Sequence, residues 1–375
     1  MLKMQSQPPE TTHTAFCDLP FTKVILNGWG DVSMCCYQLH QLGNVLGDKT
    51  VLDIWNSPTA REIREHTNQG KLHPICTSWN TCPFLVQKKW DFEFKVTQDF
   101  NYPTYLEICL PNTHCNIGGE NPNADNPACI MCCRNYDMKK QPNITHILCE
   151  KSKCLMPYLR HLCVLGTAEP FWKDAVFDVF EQLEFHKYKH RITFTTNCNV
   201  TCLVEKTINR FFDEVQQSDI SFSIDAASEE TYMKIRRIDG YNLVLNNLKM
   251  YMKARDQNGG CDRHKAVIYN NINLLNVHEM VKMVETAAML RMDRIIMLPT
   301  HDQCGRVEMG ELLLNDKNLK LFKKHSEAAQ RRAAQLGVNL HYSHPFDSVP
   351  PPVGQTHVAA PPNLVQIEVK DVQNQ

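Results

Sequence analysis

The sequence predicts an α/β protein: a parallel sheet of six strands covered by helices, preceded by a smaller cysteine-rich unit. Three observations carry this. From about residue 104, short β-branched runs alternate with amphipathic helical stretches, as in a sheet built from strand–helix–strand units. Residues 1–97 do not follow that alternation and carry Cys17, Cys35, Cys36, Cys76 and Cys82. Residues 346–375 are rich in proline, including Val349-Pro-Pro-Pro and Pro361-Pro362, the composition of a flexible tail. The expected domains are therefore 1–97, 98–345 and 346–375, with little fixed structure after about residue 345.

The strands are expected at Thr104 to Leu110, His161 to Leu165, Arg191 to Thr195, Asp219 to Ser223, Ala266 to Asn271 and Arg294 to Leu298. Between them, Trp172, Ala175, Val176, Val179, Phe180 and Leu183 fall at helical spacing, as do Val277, Met280, Val281, Val284, Ala287 and Ala288. Such stripes are core-facing surfaces, and a Met or aromatic within them is packing. Leu319 to Leu336 makes a last, charged helix.

The 375 residues suffice for two or three domains, and 43% hydrophobic content supports a folded core. Forty basic residues against 41 acidic give no charge excess that would point to a nucleic acid or an anionic membrane as main partner. Residues 1 to 10 lack the apolar run of a signal peptide, and no window approaches a membrane span. A soluble, cytoplasmic protein is expected. In that compartment 17 cysteines are reduced, buried or metal-bound rather than disulfide-paired.

Cys115, Cys129 and Cys132 follow the first expected strand of the parallel sheet and precede Arg134-Asn135. They read as a three-cysteine nest for a [4Fe–4S] cluster whose fourth iron is left open for a small molecule. Their spacing is C-x13-C-x2-C, and the long gap is filled by Gly, Pro, Asn and Asp, which bulge outward at small entropic cost. Cys109 and Cys133 are competing thiols.

This segment resembles the cluster loop of the radical S-adenosylmethionine (SAM) enzymes, whose cysteines are usually spaced three and then two residues apart. Further signatures follow in order across about residues 104 to 300. Gly166-Thr-Ala-Glu-Pro170 resembles the family's Gly-Gly-Glu-Pro, which implies that Glu169 receives the SAM ammonium as a charge-assisted hydrogen bond. Thr195-Thr-Asn197 resembles Thr-Asn-Gly, with Cys198 where glycine is usual. The run from Ser221 to Arg237 is similar to the family's fourth strand and following helix, implying Ser223 and Asp225 at the ribose and Arg236 at the carboxylate, for which a guanidinium fork is well shaped. Ser228 also reads as a helix cap. Asn276 and Glu279 fit the family's Asn-x-x-Glu. The resemblance implies a partial (β/α)6 TIM-like barrel with its site at the C-terminal ends of the strands.

Four thiols in the N-terminal unit, Cys17, Cys35, Cys76 and Cys82, suit zinc or an iron–sulfur cluster equally on chemical grounds. Phe16-Cys17, Gly30-x4-Cys35, Ile54-Trp-Asn-Ser57 and Cys76 to Cys82 resemble the auxiliary-cluster domain called SPASM, or its shorter form, twitch. The resemblance favours a second [4Fe–4S] cluster held by these four, placed before the barrel where relatives mostly carry it after. Cys149, Cys154, Cys163, Cys261 and Cys304 are read as buried packing residues, while Cys198 and Cys202 lie beside the expected SAM face.

The implied activity is reductive cleavage of SAM to a 5′-deoxyadenosyl radical that abstracts hydrogen from a substrate, with a flavodoxin- or ferredoxin-type electron donor as partner. A peptide or protein is the first substrate reading and a sugar or alcohol the second. A non-catalytic metal-binding scaffold is the rival from another class.

Overall fold

The computed structural model describes residues 14–15, 17–35, 41–77, 94–95, 101–110, 129–131, 143–166, 169–198, 203–300 and 310–342. The N-terminal unit supplies β1 (Thr14–Ala15), β2 (Lys23–Leu26), β3 (Asp31–Ser33), β4 (Gly43–Asn44) and β5 (Phe94–Lys95). Then come β6 (Tyr105–Leu110), β7 (His161–Gly166), β8 (Arg191–Thr196), β9 (Gln217–Ser223), β10 (His264–Ile272), β11 (Arg294–Pro299) and β12 (Leu340–Tyr342). All six expected strands are present, each displaced by three residues or fewer at its ends.

One sheet runs β12-β11-β10-β9-β8-β7-β6-β2-β3-β4, and β1 pairs with β5 apart from it. Every pairing from β6 to β12 is parallel. Each crossover steps to the next position in the same direction, and right-handed crossovers then place every connecting helix on one face. Burial follows this division. On β9, Ser218, Ile220 and Phe222 are buried beneath helices, while Asp219, Ser221 and Ser223 are half-buried on the opposite face. Among the described residues β4 and β12 are unpaired edges, so the barrel is partial.

The sheet has four strands beyond the six expected. β12 has three residues, too few to display alternation. β2 is an apolar run in a segment otherwise marked by cysteines, yet it pairs in parallel with β6 through Lys23–Leu26 against Tyr105–Ile108. The cysteine-rich unit is thus joined to the barrel sheet, and Lys23 Nζ lies 2.7 Å from Glu107 Oε2 across that seam.

The helix-facing side is packed with aromatics. Phe171 meets Phe194 edge-on at 5.2 Å, and Tyr251 meets Phe222 at 5.0 Å. Each such ring contributes on the order of 2–3 kcal/mol by burial. The first helical stripe is interrupted: Trp172–Asp174 is a 3-10 turn, Asp174 has φ 60, and the helix proper is Ala175–Gln182. Cys149 and Cys163 are buried, with thiols pushed up to about 12 by burial. Cys154 and Cys261 are exposed instead of buried, since they sit in a surface 3-10 turn and a short surface helix. Among the described residues no helix is long and apolar enough to cross a membrane. The expected tail lies outside them.

Candidate active site

The loops at the C-terminal ends of β7 to β11 hold most of the expected site residues. Gly166 is the last residue of β7, paired with Leu110. Beyond it Glu169 is 1% exposed. Its carboxylate accepts from Thr196 Oγ1 at 2.5 Å, from Asn197 N at 2.8 Å and from Phe171 N at 3.3 Å. Burial pushes its pKa up to about 7 against these donors and the positive field of Arg236. Among the described residues no lysine or arginine forms an ion pair with it.

Asn197 and Cys198 continue from β8. Cys198 has φ 57, the left-handed conformation for which glycine is the least costly residue. Its amide donates to Thr196 Oγ1 at 2.9 Å, and Asn247 Nδ2 donates to its carbonyl at 2.8 Å. Burial, reinforced by Glu169, holds the Cys198 thiol well above its ordinary value, so it is a protonated packing group.

At the end of β9, Asp225 is fully buried and forms an ion pair with Arg236. Arg236 also donates to the Ser223 carbonyl at 2.7 Å and to Ser223 Oγ at 2.8 Å. Its other terminal nitrogen, Nη1, donates to Cys129 Sγ at 3.6 Å. The amide of Ile130 donates to the Ile235 carbonyl at 2.9 Å, which fastens the Cys129 segment to the helix Glu229–Arg236. Cys129, Ser223, Asp225 and Arg236 therefore meet at one point, with Glu169 within reach of the Arg236 charge.

Glu279 shapes the loop that leads into this helix. It accepts from Ala227 N at 2.7 Å, from Thr231 Oγ1 at 2.9 Å and from Ser228 Oγ. Ser228 caps the helix by accepting from Thr231 N, as its position predicts. Asn276 Nδ2 donates to the Asp225 and Asn271 carbonyls, both at 2.7 Å. The pair Asn276 and Glu279 thus acts on β9's loop through backbone and hydroxyl groups.

Sequence reasoning missed Thr196 and Asn271. Asn271 N donates to Asp225 Oδ1 at 2.8 Å. A signal existed, since Asn270, Asn271 and Asn273 crowd the end of a strand, where asparagine is depleted. Three buried atoms beside this end, Asn270 Oδ1, Asn273 Nδ2 and Thr300 Oγ1, have no hydrogen-bond partner among the described residues.

Cys115, Cys132, Cys82 and Cys133 lie outside the described residues. Cys109 is on β6, its thiol pushed up to about 12 by burial and Glu107. Cys17 precedes the helix Leu19–Thr22, Cys35 follows β3, and Cys76 lies in the turn Pro74–Thr77. All three are half-buried.

Residues 17–83 match the model of SPASM, an iron-sulfur cluster-binding domain. The match spans Cys17, Cys35, Cys76 and Cys82. No curated protein matches the chain. Streptococcus suis SuiB bound to S-adenosylmethionine is similar at 14% identity over 64% of this chain and 50% of that one, with a TM-score of 0.43. SuiB bound to the precursor peptide SuiA is similar at 12% identity over 90% and 74%, with a TM-score of 0.45. A radical SAM methyltransferase from Sphaerobacter thermophilus is similar at 12% identity over 63% and 65%, with a TM-score of 0.42. The chain spans half the length of the first of these.

Proposed function

We propose that the chain is a radical SAM enzyme with an N-terminal auxiliary cluster, acting on a peptide or protein. The observation that carries the reading is the convergence of Cys129, Arg236, Asp225, Ser223 and Glu169 at the C-terminal ends of parallel strands. SAM held at an open iron supplies, on one-electron reduction, the 5′-deoxyadenosyl radical that takes hydrogen from substrate.

The donor set fits such a group. Glu169 is a buried carboxylate satisfied by neutral donors, so an ammonium placed on it gains a charge-assisted bond that no cation among the described residues supplies. Arg236, oriented by Asp225 and Ser223, offers a carboxylate a fixed guanidinium and donates to the sulfur of Cys129. Ser223 and Asp225 are the groups for the ribose. The unpaired atoms of Asn270, Asn273 and Thr300 add polar capacity, since each would otherwise cost on the order of 1–3 kcal/mol. Cys115, Cys129 and Cys132 are the ligands of the open cluster. Cys17, Cys35, Cys76 and Cys82, within the segment that matches SPASM, are those of the auxiliary [4Fe–4S] cluster.

The peptide reading is supported by that auxiliary segment, which resembles those of peptide and protein maturases. A flavodoxin- or ferredoxin-type protein is the proposed electron donor. The test is reductant-dependent release of 5′-deoxyadenosine from SAM by the iron-loaded chain. Release that persists in a Cys115→Ala, Cys129→Ala, Cys132→Ala variant would overturn the assignment of the open cluster.

A further inference from the structure

The helix Pro58–Asn68 starts at Ser57, whose hydroxyl accepts from Ala60 N, and carries Pro58 in its first turn. Glu62 and His66 are four residues apart on it and so share one face. The helix stops at Gly70, which has φ 67. Gly70 N donates to the Thr67 carbonyl at 3.0 Å and Lys71 N to the His66 carbonyl at 2.8 Å, the two bonds of a Schellman stop. That reversal returns the chain along the same face and sets His73 against the helix. His66 and His73 meet edge to face at 5.0 Å between ring centres.

We propose that Glu62, His66 and His73 bind one divalent transition-metal ion, zinc in the first instance. They are side chains other than the thiols expected to hold the auxiliary cluster. Their ligand atoms all lie within 4.8 Å of one another. A tetrahedral set with bonds of about 2.0–2.1 Å needs about 3.4 Å between ligand atoms, so from within 4.8 Å the site closes by at most about 1.4 Å. Glu62 can supply its part of that movement, because its side chain is 58% exposed and one oxygen already lies 3.6 Å from His73 Nε2.

The nitrogen assignments are set by the backbone. His66 Nδ1 is 2.9 Å from the Glu62 carbonyl oxygen, which only accepts. Nδ1 therefore carries the proton, and Nε2 presents its lone pair, the arrangement in which a carbonyl orients a metal-bound imidazole. His73 Nδ1 accepts from Ile75 N at 3.2 Å, so its proton is on Nε2. Loading moves that proton to Nδ1 and gives up the Ile75 contact. Two imidazoles and one carboxylate suit zinc with a fourth position open to water. Cys76 N donates to the His73 carbonyl at 2.8 Å, so an ion here would brace the turn that presents Cys76.

The test uses the full chain already loaded with iron and sulfide, so that the cluster thiols are occupied. It is given one equivalent of zinc chloride, desalted, and measured for metal content and by zinc K-edge X-ray absorption. The expected result is about one retained zinc with a nitrogen–oxygen shell at about 2.0–2.1 Å. A Glu62→Gln, His66→Ala variant should keep its iron and bind zinc at least tenfold more weakly. Should that variant load iron poorly, Glu62→Gln alone, a change on an exposed surface, should still weaken zinc binding. No retained zinc, a sulfur shell at about 2.3 Å, or equal retention by the variants would overturn the proposal.

Discussion

Glu169 is the residue whose environment says most about chemistry. A carboxylate with three neutral donors and almost no solvent is poised between charge states near neutral pH, at about 7. If it receives the SAM ammonium, only its ionised form binds well. SAM affinity should then fall as pH drops below about 7, by up to about tenfold per unit, and the Glu169→Gln variant should lose that dependence. Titration calorimetry between pH 6 and 8.5 reads this directly, and a flat profile in the native chain would remove Glu169 from the ammonium. The sequence singled out Glu169, Asn197, Asp225 and Arg236 as candidates because each stands in a short motif. It could not reveal that Arg236 reaches Cys129 across 107 positions of chain, or that Thr196 is the donor beneath Glu169. Those facts depend on which strand ends become neighbours.

At the scale of elements, the loop between β9 and the helix Glu229–Arg236 is held by one carboxylate from the next crossover. Truncating Glu279 leaves the Ala227 amide and the hydroxyls of Ser228 and Thr231 without their acceptor. Glu279→Ala should lower stability by about 2–3 kcal/mol and loosen the placement of Asp225 and Arg236. Urea denaturation checks the first effect and SAM affinity the second. The six central strands were legible because β-branched runs between helical stripes have few other solutions. The pairing of β2 with β6 was not legible, since nothing in Lys23–Leu26 announces its partner. Its consequence is mechanical: the auxiliary unit is stitched to the barrel by a strand pair and by the Lys23–Glu107 ion pair.

For the whole molecule, stability and metal content are the tests. His264 is 1% exposed, bonded to Ser218 Oγ at 2.9 Å, and faces Phe212 edge-on. Burial, with Arg263 second, pushes its pKa down to about 4. The unfolded chain holds the extra proton below its ordinary value of 6.5. Stability from this group is therefore complete above about pH 6.5 and is lost as pH falls towards 4, by up to about 3 kcal/mol. His264→Phe should flatten that part of the profile in chemical denaturation at stepped pH.

The proposed function requires two clusters on one chain, one of them held by Cys115, Cys129 and Cys132. Counting iron after anaerobic reconstitution tests it most directly, in the native chain and in the variant with those three cysteines replaced by alanine. About eight irons are expected in the first and about four in the second. About four in both, or zinc in place of iron, would contradict it.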